Sequence, residues 1–382
     1  MEEHLNSLVT EIELSGIRKF FNMVSQYEDV VSLTIGQPDF PTPQHIKDAA
    51  VKAIQEDFTG YTHNAGFFEL RDAVSRYMKK KYGVSYNPES EVIVTTGASE
   101  AIDIALRTIL TQGDEVILPS PVYPGYEPLV KLAGAKPIYA DITKNGFRMT
   151  ADVIENCMTG KTKCIILPYP SNPTGVTLTK EELKEIAELV KGKGIFILAD
   201  EIYSELLYSE KHSSIAEFLK EQTILINGLS KSHSMTGWRI GFLFAPETIA
   251  KHILKVHQYN VSCASSISQK AAYEAVTAGF DDAKAMREEY RVRRDFVYKR
   301  LKELNFDVTM PDGAFYFFVR IPEGFSSSQE FALQLLKEQR VAVVPGDAFS
   351  DLGEGYVRIS YAYSMDTLKK AMNRMEEFLK NR

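Results

Sequence analysis

Lys231 sits among Ser230, Ser232 and Ser234, just after the apolar run Thr223–Ile226. A lysine held in a partly apolar site sheds its proton readily and becomes a nucleophilic amine. Arg239 follows inside Thr236-Gly237-Trp238-Arg239-Ile240-Gly241. A guanidinium flanked by glycines can clamp a phosphate through paired hydrogen bonds. Asp200 ends another apolar run, Ile195–Ala199, and a carboxylate buried there needs a cation or a donor beside it. Gly97-Ala98-Ser99 opens a stretch with Ile102, Ala105 and Leu106 on one helical face. A small-residue turn at such a helix start aims backbone N–H groups at an anion. Each feature alone has a plainer reading: a solvated lysine, a structural ion pair at Asp200, an ordinary cap by Ser99. Their joint occurrence at the ends of apolar runs points to one site.

The elements that must position them are short apolar runs alternating with helix-like segments. The runs are Val92–Thr95, Glu115–Leu118, Pro137–Ala140, Cys164–Leu167, Ile195–Ala199, Thr223–Ile226 and Ile240–Ala245. Most are rich in Ile, Val and Leu with few charges, as strands buried on both faces are. Glu181–Lys191 is the clearest helix, with Leu183, Ile186, Ala187 and Val190 on one stripe. The pattern predicts an α/β fold with a doubly wound, mainly parallel seven-stranded sheet. Ligands bind such sheets at the carboxyl ends of the strands, where four runs deliver Thr96–Glu100, Pro168–Gly175, Asp200–Tyr203 and Asn227–Lys231. Beyond about residue 280 the pattern changes. A long charged helix over Phe280–Leu304, strands at Ala314–Arg320, Val341–Val344 and Tyr356–Ser360, and a closing helix at Met365–Leu379 predict a smaller α+β domain. The expected division is an N-terminal arm over 1–44 packed with the small domain, a large domain over 45–284 and the small domain over 285–382.

Bulk properties narrow the function. The 382 residues suit one large domain plus a smaller one, with 44% hydrophobic and 25% charged residues in the ordinary globular range. A net charge of −7 argues against a nucleic-acid or membrane surface. Cys157, Cys164 and Cys263 form no C-x-x-C pair, so neither a disulfide framework nor a metal site is expected. The start Met1-Glu2-Glu3-His4 has no secretory signal pattern and no long apolar run occurs, so a cytoplasmic location is expected. No G-x-G-x-x-G follows the first strand and no G-x-x-x-x-G-K-[ST] occurs, which disfavours dinucleotide and nucleotide binding.

The chain resembles the class I/II aminotransferases of the fold-type I pyridoxal-phosphate family over nearly its whole length. The likeness begins at Ser32–Pro43, runs through Gly60-Tyr61-Thr62 and Gly66–Arg71, takes in the four strand-end motifs and closes at Tyr356–Ser360. Within the family, Gly228–Arg239 with Gln258–Cys263 looks nearest to the N-acetyl-L,L-diaminopimelate type.

The resemblance implies pyridoxal 5′-phosphate as cofactor, with Lys231 as its covalent attachment point. It implies that Asp200 pairs with the pyridine nitrogen, that Asn172 and Tyr203 bond the ring hydroxyl oxygen, and that Tyr123 stacks on the ring. Gly97, Ala98, Ser99, Ser230 and Arg239 hold the phosphate. Tyr61 reaches the phosphate of a neighbouring subunit, which implies a homodimer with shared sites. Arg358 receives the substrate carboxylate with help from Asn172 and the backbone at Gly36. Catalysis falls to Lys231, Asp200 and Tyr203, and the partners are a small amino acid and a 2-oxo acid. One departure stands out: Gly228 occupies a position where the family usually carries Ser or Thr. The arm around Gly16-Ile17-Arg18-Lys19-Phe20, with the partner subunit, is expected to build the substrate side-chain pocket. A lyase of the same fold and a non-catalytic cofactor-binding regulator are the rival readings. The resemblance further implies 2-oxoglutarate as acceptor and a ping-pong course, with aromatic amino acids as the alternative donors.

Overall fold

The computed structural model describes residues 1–208 and 211–381. Its strands in chain order are β1 (Val31–Ser32), β2 (Val92–Thr95), β3 (Glu115–Ser120), β4 (Lys136–Asp141), β5 (Thr162–Leu167), β6 (Phe196–Asp200), β7 (Thr223–Gly228), β8 (Gly241–Phe244), β9 (Tyr316–Arg320), β10 (Val341–Ala342), β11 (Val344–Pro345) and β12 (Tyr356–Ser360). Seven of them form the predicted large sheet, in the order β2-β8-β7-β6-β5-β3-β4. All pairs are parallel except those of β8, which is antiparallel to both β2 and β7. The carboxyl ends of β2, β5, β6 and β7 therefore share one edge. Because β8 runs the other way, its first residues reach that same edge, which is how Arg239 comes to face Lys231.

Both faces of the sheet are covered. Along β6 and β7, Ile197, Ala199 and Leu225 belong to one apolar cluster, and Leu198, Ile224 and Ile226 to the opposite one. A fully buried Leu or Ile contributes about 1.5–3 kcal/mol, so these strands cannot slip by one residue without turning every such side chain to the wrong face. The helix Gly97–Ile109 packs Ala101, Ile102, Ala105 and Leu106 inward, as its spacing predicts. The helix expected at Glu181–Lys191 spans Lys180–Val190 and starts on a reciprocal cap between Thr179 and Glu182.

A second core gathers Phe20, Val24, Val31 and Leu33 from the N-terminal segment with residues of the C-terminal hundred, including Tyr290, Phe317 and Phe331. The link is also made by backbone, because β1 pairs in parallel with β10 through Val31 and Val341. Three-stranded pairing in the order β11-β12-β9 puts β12, and with it Arg358, in the centre. Two expectations need correction. Val341–Val344 is not one strand: Val341–Ala342 pairs with β1, Val344–Pro345 with β12, and buried Val343 lies between. An apolar run shows burial but not how many partners it serves. Ala314 does not extend β9, because its left-handed backbone (φ 55°) bends the chain and its N–H bonds the Leu206 carbonyl instead (2.9 Å). The long helix expected at Phe280–Leu304 spans Ala283–Glu303. No described helix is long and apolar enough to cross a membrane.

Candidate active site

At the shared strand edge lies a cavity of about 670 Å³. Lys231 enters it from the turn after β7 and donates from Nζ to the Gly36 carbonyl (2.7 Å). Burial pushes its pKa down to about 8, and the positive charges of Arg358 and Arg239 act in the same direction while Asp200 opposes them. The amine is thus easily freed of its proton, the state a nucleophile needs.

Asp200 ends β6 and is buried. Its carboxylate accepts from the Tyr126 hydroxyl (2.7 Å) and from the Ile202 backbone N–H (3.2 Å). Burial nevertheless raises its pKa, because those two donors and Lys231 only partly offset the loss of water. A carboxylate in that condition will take up or share a proton with any basic partner brought beside it.

The opposite wall is a cup for an anion. Gly241 lies between Thr95 of β2 and Gly228 of β7. A side chain there would press to 2.6 Å from the Gly97 carbonyl carbon and 2.7 Å from the Ala98 nitrogen. Gly97 has left-handed backbone (φ +79°), and an added Cβ would meet the Arg239 guanidinium at 2.6 Å. These two glycines let the helix start and the guanidinium close on each other. Arg239 Nη1 donates to the Thr236 carbonyl (2.9 Å). Ala98, Ser99, Ser230 and Thr236 complete the lining on this side. The Glu100 carboxylate accepts from the Thr96 N–H (2.5 Å) and bonds Nδ1 of buried His257 (2.7 Å), which holds the first helical turn in place. At Gly228 a Cβ would lie 3.1 Å from Ile202 Cδ1 and 3.2 Å from the Ile240 carbonyl oxygen. The space of the missing hydroxyl side chain is thus closely bordered by protein.

Arg358 is 2% exposed and pinned. Nη1 donates to Asn172 Oδ1 (2.9 Å) and Nη2 to the Thr34 carbonyl (2.5 Å). The guanidinium lies over the Tyr316 and Phe349 rings at 4.5 and 5.0 Å. Its Nε is buried with no hydrogen-bond partner among the described residues. Such a donor costs about 1–3 kcal/mol if left unmet. Tyr203 and Tyr316 share a hydroxyl–hydroxyl bond (2.8 Å). Tyr123 meets Tyr126 edge-on at 5.5 Å.

The cavity thus brings together all but two of the residues expected at the site: Gly36, Ala98, Ser99, Tyr123, Asn172, Asp200, Tyr203, Ser230, Lys231, Arg239 and Arg358 line it. Gly97 stands behind Arg239 instead of lining the cavity. Tyr61 is outside it and 90% exposed. Several contributors escaped the sequence reading. Tyr126, Tyr316 and His257 act on groups far away in the chain. Only the need of Asp200 for a donor hinted at Tyr126. From the arm, Ser15, Ile17, Arg18 and Phe21 reach the cavity, close to the stretch expected there.

The residues fit a phosphorylated pyridine aldehyde. They offer a buried amine of low proton affinity for the aldehyde, a buried carboxylate for the ring nitrogen, and a cup closed by an arginine and a helix start for the phosphate. The family model for aminotransferase class I and II matches residues 28–375. The chain belongs to the class I and II aminotransferase family. This aminotransferase is 64% identical to the probable N-acetyl-LL-diaminopimelate aminotransferase of Bacillus subtilis, over 99% of the chain and 96% of the relative. It is 41% identical to aromatic-amino-acid aminotransferase 2 of Thermococcus litoralis, over 99% of both. The crystal structure of Pyrococcus protein-A1 superimposes with a TM-score of 0.95 at 42% identity, covering 98% of each chain. The protein is a pyridoxal-phosphate-dependent transaminase acting on small molecules.

Proposed function

We propose that this aminotransferase moves the amino group of N-acetyl-L,L-diaminopimelate to 2-oxoglutarate by a ping-pong course, as a step of lysine synthesis. The observation that carries the reading is the presence in one cavity of a buried amine of lowered pKa at Lys231 and a buried Arg358 pinned by Asn172 and Thr34. The substrate is supported by the 64% identity to the Bacillus subtilis relative, whose name carries that amino acid.

The residue roles follow from position. Arg358 takes the substrate α-carboxylate through two parallel hydrogen bonds, a two-point grip that fixes the Cα–H bond in direction. When bound, pyridoxal phosphate supplies the electron sink that makes the Cα–H bond acidic. Asp200 holds the ring nitrogen and keeps a proton there, because its negative charge raises the proton affinity of that nitrogen. Arg239, Ser230 and the Gly97-Ala98-Ser99 turn hold the phosphate. Tyr123 covers one face of the ring, and Asn172 and Tyr203 bond its hydroxyl oxygen. Lys231 would move the proton: its Nζ would take it from the substrate Cα as a base and then give it up as an acid.

The enzyme works as a cytoplasmic homodimer in this reading. Tyr61 is the support: an aromatic side chain 90% exposed, with no hydrogen bond to any described residue, is available to the partner's phosphate. The chain divides into the arm over 1–44, the large domain over 45–284 and the small domain over 285–382. The last boundary falls just inside the helix Ala283–Glu303.

The test is a donor panel with 2-oxoglutarate and cofactor-loaded enzyme, read as glutamate formed. The expected result is the highest kcat/KM for N-acetyl-L,L-diaminopimelate. A preference for phenylalanine or tyrosine would favour instead the aromatic activity named for the Thermococcus relative. Release of ammonia without glutamate would indicate a lyase.

A further inference from the structure

Four cationic side chains line the cavity, and three are accounted for. Lys231 bonds the Gly36 carbonyl and is the cofactor's attachment point in the reading above. Arg239 stands at the phosphate cup. Arg358 is pinned for the α-carboxylate. The fourth, Arg18, has no assigned anion. It lines the same cavity but is exposed, and its side chain makes no hydrogen bond or ion pair with any described residue. Among the described residues, the only carboxylate in the lining is Asp200, which already has Tyr126 and the Ile202 N–H.

Arg18 is held there by its helix. Gly16–Val24 buries Phe20 and Val24 in the second core. Gly16 packs so closely on Ala348 that a Cβ would lie 3.0 Å from its Cα. The neighbours of Arg18 in the lining, Ile17 and Phe21, are apolar and could serve the methylene chain of a substrate. The helix is fixed, while the guanidinium on its three-methylene stem is free to move.

We propose that Arg18 receives the distal carboxylate of the substrate, so that the enzyme selects amino and 2-oxo acids with a second carboxylate far from the reacting carbon. This rests on the transaminase reading above and specifies the substrate class of that site. A ping-pong enzyme must admit two different acids to one cavity. Arg358 meets the α-carboxylate, which stands at the same place in both. The distal carboxylate of 2-oxoglutarate lies closer to its reacting carbon than that of N-acetyl-diaminopimelate. An unpinned arginine can follow that difference, and a pinned one cannot. Charge-assisted hydrogen bonds to the guanidinium distinguish such acids from neutral ones of equal length.

The test compares Arg18→Met and Arg18→Lys with the unaltered holoenzyme, loaded with the aminated cofactor and given 2-oxoglutarate or 2-oxopentanoate, its five-carbon counterpart without the distal carboxylate. The unaltered enzyme should prefer 2-oxoglutarate, and added salt should weaken that reaction more than the other. In Arg18→Met, kcat/KM for 2-oxoglutarate should fall ~10–100-fold, the range of one charged hydrogen-bond partner, while that for 2-oxopentanoate changes less than about threefold. Arg18→Lys should recover part of the loss. An equal loss for both acids would mean that Arg18 only shapes the arm, and no loss would mean that another group reads the distal charge. Either overturns the proposal and leaves transamination standing. No turnover of either acid by the unaltered holoenzyme would remove the transaminase reading itself, and the proposal with it.

Discussion

The two sides of the cavity are built differently. On the strand side, Asp200, Lys231 and Arg358 are each bonded to named partners, and Asp200 and Arg358 are almost wholly buried. On the arm side, Arg18 is exposed and bonded to no described residue, and the helix carrying it is anchored through Phe20, Val24 and Gly16. The strand side is preorganised: its charges are set before any substrate arrives, which is what proton transfer requires. The arm side is adaptable and tolerates change without disturbing the sheet. Chemistry and substrate choice are thus carried by separate parts of the chain.

The contrast is sharpened by substitutions on the strand side. Lys231→Ala should have the largest effect. It removes the covalent tether and the proton carrier together, and turnover should fall by ~10⁴-fold or more on the scale of general acid–base catalysis. Residual rates within tenfold of the unaltered enzyme would contradict its role. Asp200→Asn keeps the shape but loses the charge at the ring nitrogen. The expected loss is ~100-fold or more in kcat, with cofactor still bound, as absorbance would show. Arg358→Lys replaces a two-point grip by a point charge. It should raise KM for every amino acid tested by ~10–100-fold, with a smaller change in kcat. A rise confined to dicarboxylic substrates would mean that Arg358 and Arg18 have been assigned the wrong way round.

The smallest effect is a pH shift. With a Lys231 pKa of about 8, about a tenth of the cofactor-free protein carries the neutral amine at pH 7. Only the neutral amine attacks an aldehyde. The rate of cofactor capture should therefore rise with pH and level off above about 8. A rise continuing to the ordinary lysine range would show that burial and the two arginines do not depress Lys231 as described.

Much of the strand side was legible in the sequence because buried strands leave a strong trace. The seven apolar runs stand where strands form, and the polar residues just past their ends converge. The arm side left a weaker trace. A short helix with Phe20 and Val24 buried shows that it docks, but not that Arg18 is left facing the cavity. The partners that tune the strand side were also out of reach. Tyr126, Tyr316 and His257 touch residues 74, 113 and 157 positions away, and nothing in local spacing encodes such pairings. The splitting of Val341–Val344 between two sheets has the same cause: hydrophobicity records that a segment is buried, while its hydrogen-bond partners depend on the rest of the fold. Gly228 illustrates the converse. The sequence showed a missing hydroxyl, and only the packing of Ile202 and Ile240 showed what occupies the neighbourhood.

The central claim is that the strand side is organised around one reactive amine. It is tested most directly by incubating the purified protein with pyridoxal phosphate, reducing with borohydride and mapping the modified peptide by mass spectrometry. The account expects a single stoichiometric adduct on Lys231. An adduct spread over other lysines, or located elsewhere with Lys231 unmodified, would contradict it.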